Sequence, residues 1–187
     1  MNPHNITPFA ESILPRYFVA LDLETTGLMP NRDRIVEIAA LKFDIRSNNH
    51  QAFSVLIKQD EPIPSSATEI HGITDSMCAA TGVSLGDAIL GLYNFIGMHP
   101  VVCHNFVFDI GFLEVNYDRL KLEFKNDVSC TLKMARMAFP KLPSYSLEFL
   151  IRLDNKSRYL SFHRAMDDAI HTARLYLACV EILKKLK

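Results

Sequence analysis

Asp22 and Glu24 stand on either side of a single leucine in the apolar run YFVALDLE, residues 17–24. On a strand, an i, i+2 spacing puts both carboxylates on one face, with Leu21 and Leu23 on the other. Two adjacent carboxylates in such a strand lose hydration and repel one another, which is costly unless something compensates. A divalent cation is the natural compensation, and hard Mg²⁺ or Mn²⁺ prefers oxygen ligands of this kind. The pair is equally readable as a strand end with both groups in water. Thr25-Thr26-Gly27 follows directly. Gly27 permits a tight turn, and the threonines offer hydroxyl and backbone N–H groups that suit a phosphate or a terminal sugar. An ordinary polar turn would use the same residues.

Two further acids sit in informative contexts. Asp109 closes the segment HNFVFD, residues 104–109, four residues after Asn105, which reads as the N-cap of a helix starting at Phe106. An acid in a first helical turn is favoured by the helix dipole whether or not it does chemistry. His104 and Asn105 close a short apolar strand, and strand ends are where α/β sheets place sites. The last group is HRAMDDA, residues 163–169. A five-residue step along a helix turns about 500°, leaving His163 and Asp168 roughly 140° apart. They converge only if His163 lies in the loop before the helix, an arrangement that suits a base on a loop and a ligand on a fixed helix. Asp167, four residues from His163, is a rival ligand, and spacing leaves that choice open.

The elements that must hold these residues read as follows. Residues 17–24 form a central strand, and 35–44 and 51–58 are further strands parted by the polar turn Ser47-Asn48-Asn49. Leu85, Ala88, Ile89, Leu92 and Ile96 recur at helical spacing. A short strand at 101–103 leads into the helix from Phe106, with Phe108, Phe112, Leu113 and Leu120 on its buried side. Another strand near Val128 feeds a helix through Met137 that must end by Pro140. The last helix spans about 165–185, with Met166, Ala169, Ile170, Ala173, Leu177 and Val180 as its core stripe. A meander followed by alternating strands and helices implies an α/β layered domain with a mixed central sheet. The expected organisation is an N-terminal arm over 1–16, with Pro3, Pro8 and Pro15, and one domain over 17–187.

Bulk properties narrow the setting. No run of about 18 apolar residues and no signal-peptide pattern is present, so no membrane span is indicated and a cytoplasmic location is expected. Cys78, Cys103, Cys130 and Cys179 are widely spaced and read as buried free thiols, not as a zinc site or disulfide framework. Net charge is −1, but residues 1–93 carry 6 basic and 11 acidic side chains and residues 94–187 carry 14 and 10, giving −5 and +4. A basic second half could track phosphates, or simply be a solvated face.

Together these segments resemble the DnaQ-like exonucleases of the DEDDh class, which includes the epsilon proofreading subunits of bacterial DNA polymerase III. DLETTGL at 22–28 is similar to the first motif of that class, HNFVFDIGFL at 104–113 to the second, and HRAMDDA at 163–169 to the third. EIHGIT at 69–74 and SYSL at 144–147 resemble two further signatures, so the likeness spans residues 17 to about 180. One departure is Cys130, where many relatives carry Asp before Thr-Leu.

The resemblance implies a ribonuclease-H-like fold. It also implies a 3′→5′ exonuclease that uses two divalent cations, Mg²⁺ or Mn²⁺, to release 5′-mononucleotides from DNA. Asp22, Glu24, Asp109 and Asp168 become the metal ligands, with Asp168 favoured over Asp167, and His163 becomes the general base. Histidine's ordinary pKa of about 6.5 suits that role near neutral pH. The sister class would carry Tyr where Arg164 stands. Thr25, Thr26, Leu28, His71, Asn105 and Phe108 fall at positions expected to meet the substrate. The expected partner is a nucleic-acid strand, single-stranded at its free 3′ end. A homodimer that completes a basic surface is compatible with this reading. So is a polymerase partner, although the chain's end soon after the third motif favours a free-standing nuclease. The alternatives are an exonuclease of RNA or short oligonucleotides and a catalytically silent binding module, which would be expected to have lost a ligand.

Overall fold

The computed structural model describes residues 15–47, 49–153 and 161–186. Apart from Pro15 and Arg16, the expected N-terminal arm lies outside the described residues. Strands β1 (Tyr17–Thr25), β2 (Ile35–Asp44) and β3 (Asn49–Leu56) form an antiparallel meander. Strands β4 (Val101–Cys103) and β5 (Val128–Cys130) then add parallel to β1, giving the order β3-β2-β1-β4-β5. This is the mixed sheet expected. β3 starts and stops two residues earlier than the polarity pattern suggests. Past Leu56 the Ile57 N–H still donates to Val36 O at 2.8 Å, but Ile57 also bridges to Val83, and the strand pairing with β2 ends there.

Helices cover both faces because β1 is buried on both. Val19, Leu21 and Leu23 point to one side, against helices α3 (Leu85–Ile96) and α4 (Phe106–Arg119). Phe18 and Ala20 point to the other, against α5 (Thr131–Ala138), α6 (Leu147–Arg152) and the long α7 (Ala165–Lys185). Helices α1 (Ser65–His71) and α2 (Asp75–Thr81) close a smaller core around Val36, Ile63 and Ile73. Along α7, Ala169, Ala173 and Val180 are buried as expected, while Met166, Ile170 and Leu177 are half-buried. Its fully packed stripe also takes in Leu175, Tyr176 and Cys179. Leu120 lies past the end of α4 and is 42 % exposed, so it is not part of that helix's buried side. All four cysteines are free and buried. Among the described residues no helix is long and apolar enough to cross a membrane.

Candidate active site

The face of β1 that packs Phe18 and Ala20 against α7 continues, two and four residues on, with Asp22 and Glu24. These emerge where α7 begins, so the first turn of that helix brings Asp168 to them. One carboxylate oxygen from each of Asp22, Glu24 and Asp168 lies within 4.8 Å of the other two. Asp168 Oδ2 accepts the backbone N–H of His163 at 3.0 Å, whereas its Oδ1 is buried without a partner. Asp167 turns away and accepts from the Ser161 hydroxyl. Of the two aspartates, Asp168 is the one that joins the strand acids.

Asp109, on α4, approaches from behind. It is 2 % exposed, and the nearby backbone amides of Asp109 itself and Leu23 partly offset the burial of its carboxyl. It lies outside the closest trio but adds its charge to that of Asp22. Burial, then the charges of Asp109, Asp168, Glu24 and Glu37, push the Asp22 carboxyl well above the usual range. Glu24 is pushed up to about 8, first by burial, then by Asp168 and Glu37, with Arg164 opposing. Burial also raises Asp109 and Asp168. A cluster that resists ionisation, with one buried oxygen left unpaired, fits a divalent cation, which would supply the missing charge and take oxygen donors.

His163 sits in the loop before α7, the condition its convergence with Asp168 required. Its φ of 62° is left-handed, and its side chain is exposed. The next two residues are anchored by Glu37, which sequence reasoning missed. Its carboxylate accepts from Arg164 Nε at 3.2 Å, Arg164 Nη2 at 2.8 Å and the Ala165 N–H at 3.0 Å. The available signal was an acid in the middle of the apolar run IVEIAAL, which is as expensive to bury as Asp22.

The proposed substrate residues divide. A groove of about 350 Å³ is walled by Glu24, the 25–28 turn, Ile70, His71 and Phe108. Leu28 is 78 % exposed at its rim. Thr25 donates to Gly27 O at 2.6 Å, and Thr26 Oγ1 accepts from Arg34 N at 2.9 Å, so both hydroxyls are engaged in shaping the turn. A Cβ at Gly27 would lie 2.5 Å from the Asp33 carboxylate, which explains the glycine. His71 is buried, and its Nδ1 accepts from Ile73 N at 3.0 Å. The ring proton therefore sits on Nε2, which finds no partner. Asn105 is not the expected side-chain cap. It adopts a left-handed conformation with φ 64° and makes no capping bond, and its exposed side chain does not line the groove. Its neighbour His104 is better tied, with Nδ1 to Thr131 Oγ1 at 2.9 Å and Nε2 to Tyr145 O at 3.0 Å. Because a carbonyl only accepts, Nε2 carries the proton. This bond also gives the 144–147 segment a structural reason.

Residues 19–176 match the family model RNase T, described as Exonuclease. The epsilon subunit of DNA polymerase III of Pasteurella multocida is 31 % identical over 175 residues, covering 87 % of this chain and 68 % of that protein. A PolC-type DNA polymerase III of Caldanaerobacter subterraneus is 30 % identical over 181 residues, 97 % of this chain. The chain spans only 13 % of that polymerase's length. Among solved structures, exonuclease X in complex with 5′-overhanging duplex DNA superposes with a TM-score of 0.66 at 28 % identity, covering 88 % of this chain and 90 % of that one.

Proposed function

The chain belongs to the RNase T exonuclease family, and from that premise we propose that it removes 5′-mononucleotides one at a time from the 3′ end of a DNA strand. The observation that carries the reading is the convergence of Asp22, Glu24 and Asp168, with Asp168 Oδ1 buried and unpaired. These three residues, backed by Asp109, would hold two divalent cations, Mg²⁺ or Mn²⁺. Bound there, the ions would neutralise charge on the scissile phosphate and lower the pKa of an attacking water.

The chain's own groups do the rest. His163, exposed beside Asp168, takes the proton from the attacking water. Leu28 and Phe108 pack against the terminal base, a contact that tolerates any sequence. His71 stays neutral, because burial lowers its pKa, and so presents Nε2–H as a donor to an acceptor atom of the terminal nucleotide. Thr25, Thr26 and Gly27 fix the wall between that nucleotide and the acids. A groove of about 350 Å³ suits one unpaired nucleotide, which supports a single-stranded 3′ end as the species that enters. The names of the polymerase III relatives support a replication or repair setting, with a polymerase as the partner to look for.

The test is a time course on 5′-labelled single-stranded DNA and RNA with Mg²⁺, Mn²⁺ or chelator. A metal-dependent ladder shortening from the 3′ end is expected, with DNA cut faster. Absence of cleavage of either strand in either metal would overturn the reading, and faster cutting of RNA would reverse the substrate preference.

A further inference from the structure

If the exonuclease reading holds, the base must be held at a fixed distance from acids on a different element, and the sheet contains a device for that. We propose that Glu37 and Arg164 are positioning residues, whose ion pair fastens the His163 loop to the strand beside the acids. Glu37 stands opposite Glu24 in the β1–β2 register and is 2 % exposed. Its two oxygens receive three N–H donors, all from the two residues that follow His163.

On the other side of His163 the loop is tied to α7 itself. Ser161 O accepts from His171 Nε2 at 3.0 Å, the Ser161 hydroxyl bonds Asp167, and the Phe162 ring lies 4.7 Å from that of His171. Those contacts make the loop ride with the helix. The Glu37 contacts register helix and loop against the sheet that carries Asp22 and Glu24. They also help impose the left-handed backbone at His163, which a residue with a Cβ avoids when free. Burying a carboxylate against a guanidinium that stays partly in water is a poor route to stability. It is a good route to placement, since the bidentate fork and the Ala165 N–H together fix direction as well as distance.

The experiment compares Arg164→Met, Arg164→Lys and Glu37→Gln in the full chain, each also combined with His163→Ala. Cleavage of 5′-labelled single-stranded DNA in Mn²⁺ gives kcat and KM, and amide hydrogen exchange reports on residues 161–168. Misplacing a base by about 1 Å costs on the order of 100-fold, so Arg164→Met should lower kcat by that order with KM almost unchanged. Arg164→Lys should recover part of the loss. In the His163→Ala background the Arg164→Met loss should shrink sharply, because the base is gone and only the placement of Asp168 on α7 still depends on the clamp. The His163 amide, bonded to Asp168 in the intact protein, should exchange faster in Arg164→Met.

A loss that persists in full without His163, or a change confined to KM, would overturn the proposal; the second would make Arg164 a substrate contact. Should the wild type cleave nothing, the exchange measurement still decides on the clamp. Unchanged protection at His163 in Arg164→Met would overturn it independently of the activity.

Discussion

Glu24 and Glu37 face each other across the β1–β2 ladder, and the protein treats them in opposite ways. Glu37 has a cation built in: Arg164 grips it twice and a backbone N–H completes its coordination. Glu24, Asp22 and Asp168 crowd together with no such partner at hydrogen-bond distance among the described residues, and Arg164 lowers the Glu24 pKa only from a distance. One acid is satisfied by the chain and serves geometry. The others are left short of positive charge, and under the proposed function that shortage is what would recruit a divalent ion. A buried carboxylate is therefore informative through its partner more than through its burial.

The largest expected effect comes from removing an acid of the set that has no cationic side chain at hydrogen-bond distance among the described residues. Asp168→Asn keeps the shape but weakens the cation site, and should lower turnover by about 1000-fold, the upper scale for one preorganised electrostatic group. Near-normal turnover would erase the contrast with Glu37. His163→Ala should cost about 100-fold or more, the usual contribution of a general base, read as kcat on the same oligonucleotide.

A pH experiment sharpens the comparison without any substrate. In the metal-free fold Glu24 holds its proton up to about 8, against an ordinary value of 4.5. Between those values the folded state binds a proton that the unfolded chain has lost, so this group's contribution to stability falls as pH rises and is gone above about 8. Melting temperature in chelator should drop from pH 6 to pH 8.5, Mn²⁺ should restore it at the higher pH, and Glu24→Gln should flatten the slope. A slope unchanged by Glu24→Gln would assign the effect elsewhere. The smallest effects belong to the groove: Leu28→Ala should raise KM roughly tenfold, in line with about 1–3 kcal/mol for a stacked base, and His71→Ala by a similar factor, about the worth of one lost hydrogen bond.

What the sequence disclosed follows from how local each signal is. Asp22 and Glu24 were legible because a period of two on one strand needs no other part of the chain. The start of α7 was legible from its own pattern; spacing left Asp167 and Asp168 level, the family resemblance favoured Asp168, and the loop geometry that turns Asp167 to Ser161 supplies a physical reason. Glu37 was missed because its partner is 127 residues away, although an acid inside the apolar run of β2 announces the same cost as those in β1. Helices α1 and α2 span seven residues each, too few for a periodic stripe, so the wall that carries His71 was visible only as the motif EIHGIT. Asn105 was read as a cap from its residue type, whereas its left-handed backbone, which asparagine tolerates, is what the turn into α4 uses.

The most direct test of the central claim is Asp22→Ala beside wild type on 5′-labelled single-stranded DNA with Mn²⁺, with both proteins matched for folding by circular dichroism. Asp22 lies at the centre of the acid cluster, its pKa raised by burial and then by Asp109, Asp168 and Glu24. The account predicts a ladder shortening from the 3′ end and release of 5′-mononucleotides in wild type, and neither in the mutant. Cleavage by folded Asp22→Ala at the wild-type rate would contradict it.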